Sequence, residues 1–424
     1  MVPADVGLRS LVRALVLAVL IGVPASLLAL GLVWLVSTTT TLVWQDLPVA
    51  LGIDGAPPWW FVVAVPTVGG VGVALARRLP GHAAHGPLDG FARATEPRVL
   101  PGVLLAALIS LACGAVLGPE APLLALGSAL GLLVARRAAT PVQQMAAGAG
   151  SFAAFSALLG NPLLTAIFLL ESTAATVSAA SLVPGLAASG VGYLVFTGVG
   201  DWAGIDVPAF TVEGLEPYSS VAWSDLAWAV PVSAGAALVA LVALLGGRAV
   251  AARAARAPML LAIPLGGLAV GVLGAGWVAA SGQDYSLELF SGEQAIGALV
   301  GQTSATAVLL LLVLKATAYA VSLGSGFRGG PIFPALFLGA TVGVLAALVL
   351  PGLGTTPAVA CALAAAAAAT LRLPFAAAAL SLLLVGTAGA ATTVLTILGS
   401  VVGYLVVRAV TTLTARAGGR PAPS

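Results

Sequence analysis

The sequence predicts an all-α, polytopic membrane protein built as an inverted-topology internal repeat with broken and re-entrant helices. Three observations predict it. Of 424 residues, 60% are hydrophobic and only 8% charged, and apolar runs of spanning length recur from end to end, which marks a helical membrane chain. Glycine (52) and proline (27) are abundant; in lipid, glycine permits close helix contact and proline marks helix breaks. Finally, the stretch from Gly118-Pro119-Glu120-Ala121-Pro122 to Gly131 returns 212 residues later, from Gly330-Pro331-Ile332-Phe333-Pro334 to Gly343. Both copies fit G-P-x-x-P-x-L-x-L-G-x-x-x-G. The same offset pairs Ser110, Leu111 and Gly114 with Ser322, Leu323 and Gly326, and Pro162 with Pro374.

The elements follow in order. Leu11–Val36 is the first span, retained because its apolar run is long for a signal-peptide core and lacks a cleavage site. A loop with Asp46 and Asp54 follows, and Trp59–Ala76 returns, entered through Trp59 and Trp60 as in an interfacial belt. Arg77 and Arg78 close it on the cytoplasmic side by the positive-inside rule. The segment 80–98 holds both histidines, His82 and His85; it is either a solvated loop or a re-entrant one facing an ion. Val99–Leu117 leads to the first motif copy, and Leu123–Val134 continues it. Val142–Leu159 and Pro162–Ser172 are broken at Gly160-Asn161-Pro162, and Ala180–Thr197 follows.

No Lys or Arg lies between Arg137 and Arg248, so the acidic linker between them belongs outside. The second half then starts on the opposite side from the first. Ala227–Leu245 crosses inward to Arg248, Arg253 and Arg256. Met259–Ala280 crosses outward to a loop with Asp284, Glu288 and Glu293. Ala305–Ser325 carries Lys315, which either neutralises a buried carbonyl end or adds positive potential to an anion path. The second motif copy, Ala358–Leu371, Pro374–Val385 and Thr392–Val407 complete the membrane part. The expected organisation is a first repeat over 1–199, an extracellular-side linker over 200–226, a second, inverted repeat over 227–407 and a short cytoplasmic tail over 408–424.

Inverted repeats place their site near the midplane, where discontinuous helices point their N-termini at it. Here those N-termini are Gly118–Pro122 and Gly330–Pro334. Such a terminus leaves N–H groups unpaired, carries about half a positive charge and binds anions. Glu120 either fills it as a built-in anion, yields it to a soluble one, or merely complements the helix dipole. Its counterpart is Ile332, so only one half carries an acid. A carboxylate inside a membrane is costly and marks function.

Composition excludes other classes. Net charge is +2 without a basic stripe, which argues against a nucleic-acid partner. Cys113 and Cys361 fall in apolar runs and read as packing residues. There is no HExxH, GxSxG, clustered intramembrane acid or metal-ligand spacing, so neither an enzyme nor a cofactor is expected.

The two motif copies resemble the CLC family of chloride channels and chloride/proton antiporters. Gly118-Pro119-Glu120-Ala121-Pro122 is similar to the family's G-[KR]-E-G-P, and Gly330-Pro331-Ile332-Phe333-Pro334 to its G-x-F-x-P. Lys315 stands at a basic position the family often has. The resemblance implies a divergent prokaryotic-type member without CBS domains, in the plasma membrane with both termini cytoplasmic. It implies a homodimer with one anion path per subunit and Glu120 as the gate. It also implies anion contacts from Gly118, Gly330, Ile332 and Phe333, and from His85 and Gly86, where Ala84-His85-Gly86-Pro87-Leu88 echoes the family's G-S-G-I-P.

The departures are specific. Pro119, Ala121 and Ile332 differ from the signatures, and Pro331 has no N–H to donate. The family's anion-binding tyrosine would fall near Thr414, with Tyr404 too early. The inner proton relay would fall on Ser172, which cannot ionise; a one-residue slip would give Glu171, and water is a further route. The expected function is gated, channel-like transport of chloride or a similar small anion. The alternatives are proton-coupled antiport and, behind it, a fluoride-selective carrier or a membrane-embedded enzyme.

Overall fold

A computed structural model describes residues 8–79, 88, 94–172, 179–203 and 211–417. The helices are α1 (Leu8–Thr41), α2 (Trp59–Ala76), α3 (Leu100–Ala112), α4 (Glu120–Val134), α5 (Thr140–Leu159), α6 (Pro162–Ser172) and α7 (Ala179–Ala203). They recur as α8 (Trp223–Ala254), α9 (Met259–Ser281), α10 (Ala305–Ser325), α11 (Ile332–Val349), α12 (Thr355–Leu371), α13 (Pro374–Val385) and α14 (Thr392–Ala417). Among the described residues there is no β-strand, only one isolated bridge between Gly118 and Gly330. Among the described residues, seven helical stretches are long and apolar enough to cross a membrane. Others are too short: α4 has 15 residues, α6 has 11 and α13 has 12. At 1.5 Å per residue they fall short of a hydrocarbon core of about 30 Å and end inside it.

The repeat is built into the hydrogen bonds. Gly118 N–H donates to the Gly330 carbonyl at 2.8 Å, and Gly330 N–H returns the bond at 2.5 Å. Around them, Val116 N–H donates to Ser322 Oγ and Arg328 N–H to Ser110 Oγ, each at 3.0 Å. Every partner has its counterpart 212 residues away, as an approximate two-fold axis through the bridge requires. The closing glycines of the motif set the packing. A Cβ on Gly127 or Gly131 would strike the backbone of Gly150 or Ala146 on α5; one on Gly339 or Gly343 would strike Ala362 or Val359 on α12. Small residues thus let α4 lie against α5, and α11 against α12, at backbone distance.

Several ends differ from the sequence-based expectation. α3 stops at Ala112, before Leu117, because Gly114 adopts φ 90°, as Gly326 adopts φ 115° after α10. Glycine meets this left-handed geometry without steric cost. α1, α8 and α14 run past their apolar windows, because helical backbone continues into ends that bear Thr or Arg. Helical turns at Leu42–Ala50, Tyr285–Leu287 and Glu293–Val300 have no periodic signature of their own. The linker over 211–222 docks on the second half: Val212 N–H donates to the Leu384 carbonyl, and Thr356 Oγ1 to the Glu216 carbonyl.

Candidate anion site at the repeat junction

The bridge brings the first residues of α4 and α11 face to face. Glu120 opens α4 and is fully buried. Its Oε1 accepts two backbone hydrogen bonds, from Ile332 N–H and Phe333 N–H, both at 2.9 Å. These are orphan donors of the α11 first turn, so the carboxylate of one half fills the helix N-terminus of the other. Pro331 precedes them in helical geometry and contributes only a carbonyl.

The seat has no room beyond the carboxylate. A Cβ on Gly118 would lie 2.0 Å from Glu120 Oε2, and one on Gly330 would lie 2.1 Å from it. The bridged glycines form a cradle whose emptiness is the space for that oxygen. Oε2 itself is buried without a hydrogen-bond partner among the described residues. The structure therefore gathers Gly118, Glu120, Gly330, Ile332 and Phe333 at one point. His85 and Gly86 lie outside the described residues.

Glu171 and Ser172 sit elsewhere. Glu171 spans the two halves at a second helix start: its carboxylate accepts Phe375 N–H at 2.9 Å and Ala376 N–H at 2.6 Å, capping α13. Ser172 is exposed beside it at the end of α6. Thr414 is exposed on α14, and its hydroxyl turns back to its own helix. Lys315 is fully buried. It donates to the carbonyls of Leu287, Leu289 and Phe290 at 3.2, 2.8 and 3.0 Å and lies over the Phe337 ring. Its charge holds the connection between α9 and α10 against α11.

That connection carries an acid, Glu293, whose expected place is an external loop. Gly292 adopts φ 83° and rests against Phe337, one turn beyond Phe333. This turns Glu293 toward the junction, with its Oε2 buried and without a hydrogen-bond partner among the described residues. Burial first, and the nearby Glu120 charge second, raise the pKa of Glu293 above the ordinary carboxyl range. Tyr319 lies on the expected apolar helix Ala305–Ser325. It is fully buried on α10, and its hydroxyl donates to the Pro331 carbonyl at 2.7 Å. In the sequence the only marks of the two are a glycine just before the acid, Gly292-Glu293, and a tyrosine four residues after an intramembrane lysine.

A helical membrane protein whose inverted halves meet at two helix N-termini around one carboxylate is built to handle small anions in the bilayer. Comparison with known proteins gives the family. The profile described as "Voltage gated chloride channel" matches residues 81–408, and this chain belongs to that family, the CLC channels and transporters. YfeO of Escherichia fergusonii, named for ion transport, is 31% identical over 366 residues, covering 82% of each chain. Among solved structures, a slow cyanobacterial Cl−/H+ antiporter superposes with a TM-score of 0.79 at 18% identity, over 96% of this chain and 98% of its own. A CLC-type fluoride/proton antiporter gives 0.70 at 17% identity, over 95% and 96%.

Proposed function

We propose that this chain carries chloride or a similar small inorganic anion across the membrane along a path gated by Glu120. The observation that supports this most is the pair of hydrogen bonds from Ile332 and Phe333 N–H to the buried Glu120 Oε1. Two convergent amides at a helix start recognise a single negative atom, and they neither give up a proton nor form a bond. A desolvated chloride is satisfied there without any chemistry. Ionised Glu120 is a tethered anion in that seat and keeps others out. Protonation removes its charge and weakens both bonds by about half, since charge-assisted bonds are roughly twice as strong as neutral ones. The seat then passes to a soluble anion, so acid favours opening. Each subunit of a homodimer would hold its own path, in a prokaryotic plasma membrane with both termini cytoplasmic.

Two features support uncoupled passage. Both oxygens of Glu171 are engaged by the α13 backbone, and Ser172 cannot ionise. The second reading is chloride/proton antiport, favoured by the fold it shares with solved antiporters. The test is efflux from proteoliposomes with a panel of chloride, fluoride and nitrate, followed by a chloride gradient in weakly buffered medium. Chloride efflux without proton movement is expected. Uphill proton movement would establish antiport, and no anion efflux above protein-free vesicles would end the transport reading.

A further inference from the structure

We infer that Tyr319 is a positioning residue for the anion seat, acting through the peptide unit between Pro331 and Ile332. This rests on the reading of that seat given above and deepens it. A trans peptide is planar, with its C=O and N–H pointing in opposite directions. On one side of this unit the buried Tyr319 hydroxyl donates to the Pro331 carbonyl at 2.7 Å. On the other side Ile332 N–H donates to Glu120 Oε1 at 2.9 Å. Hydroxyl, peptide and carboxylate form one chain of hydrogen bonds, and each link polarises the next. The hydroxyl thus sharpens the donor that holds the anion and fixes the direction in which it points.

The repeat supplies an internal control. The residue of the first half at the position of Tyr319 is Ala107, which has no hydroxyl. The matching peptide there, Pro119–Glu120, binds no carboxylate from the other half, because the counterpart of Glu120 is Ile332. In the first half the Pro119 carbonyl instead accepts Leu123 N–H of its own helix. The half that donates to the acid is therefore the half that carries the tyrosine. Its hydroxyl contribution reaches the seat from behind, through backbone.

The charged and titratable groups around this arrangement are Glu120 on α4, Lys315 one turn earlier on α10, Glu288 and Glu293 in the connection before α10, and Arg77 and Arg328 on the side of the loop after it. Removing the hydroxyl leaves all of them in place. It weakens the donor to the ionised form of Glu120, so the carboxyl holds its proton to higher pH. It also weakens the donor to any soluble anion.

The experiment is an infrared pH titration of the Glu120 carboxyl band, assigned by its loss in Glu120→Gln, alongside chloride efflux from proteoliposomes. In Tyr319→Phe the band's midpoint should move up by about half a pH unit, and half-saturating chloride should rise about two- to fourfold. With 3,5-difluorotyrosine at position 319, a stronger donor of unchanged shape, the midpoint should move down. In Tyr319→Phe combined with Glu120→Gln, the weaker chloride saturation should persist without a pH response. Should Tyr319→Phe fail to fold, the difluorotyrosine protein decides alone. Midpoints unchanged from wild type in the substituted proteins would overturn the inference and leave the hydroxyl a packing feature. A wild-type chain that passes no anion would instead overturn the transport reading, while the infrared midpoints would still judge Tyr319.

Discussion

Gly330→Ala tests the cradle by adding one methyl group. The new Cβ would lie 2.1 Å from Glu120 Oε2 and 2.6 Å from its Cδ. Carbon and oxygen need roughly 3.3 Å between them, so the carboxylate must retreat by about 1 Å. That stretches its bonds to Ile332 and Phe333 from 2.9 Å to beyond hydrogen-bond range. Two bonds to a charged group are worth about 1.5–3 kcal/mol each. Allowing for relaxation, the closed state should lose about 2–4 kcal/mol, or some 30- to 1,000-fold in the gate equilibrium. The expected phenotype is chloride efflux that is fast at neutral pH and nearly insensitive to acid. Gly118→Ala, whose Cβ would lie 2.0 Å from the same oxygen, should behave alike. The assay is chloride efflux from proteoliposomes across a pH series, with monodispersity in detergent as the control for folding. A folded Gly330→Ala protein with the wild-type pH response would refute the cradle argument.

Three further outcomes follow from the same geometry. Lys315→Met leaves three buried carbonyls without their donor and should cost about 3–5 kcal/mol; an unchanged unfolding midpoint in detergent would contradict it. Glu293→Gln replaces an acid that burial and the Glu120 charge keep protonated up to about pH 8, so half-maximal efflux in the acid-to-neutral range should stay where it is in wild type; a shift to lower pH would show that Glu293 is charged while Glu120 titrates. Glu171→Gln weakens the cap of α13 by about 1 kcal/mol and should lower the unfolding midpoint without altering the pH response of efflux. Loss of uphill proton movement in that variant would instead make Glu171 a relay.

Much of the architecture was legible because it repeats. The matched motifs located both helix starts at the junction, and the apolar runs located the spans. The glycines Gly127/Gly131 and Gly339/Gly343 were legible as part of the repeated motif, and their close helix contacts show only in the structure. What escaped depends on contacts far apart in the chain. Gly118 and Gly330 stand out in the motif, but nothing local says that the space above them belongs to Oε2 of Glu120. Glu171 reads as the end of a helix, yet its partner lies 204 residues away. Glu293 reads as a solvated loop acid, and only the seating of Gly292 on Phe337 turns it inward. Tyr319 is one apolar-looking residue in a helix until the Pro331 carbonyl comes to meet its hydroxyl.

In the proposed function, the Glu120 carboxylate and a soluble anion compete for the Ile332 and Phe333 N–H groups. Chloride efflux from proteoliposomes bearing Glu120→Gln, measured from acid to neutral pH, probes that competition at its source. Glutamine keeps the shape and removes the competing charge. Efflux at neutral pH should be at least as fast as that of wild type in acid, with no remaining pH dependence. A Glu120→Gln protein that keeps the wild-type rate and the wild-type pH response would contradict it, leaving Glu120 a partner of the helix dipole and nothing more.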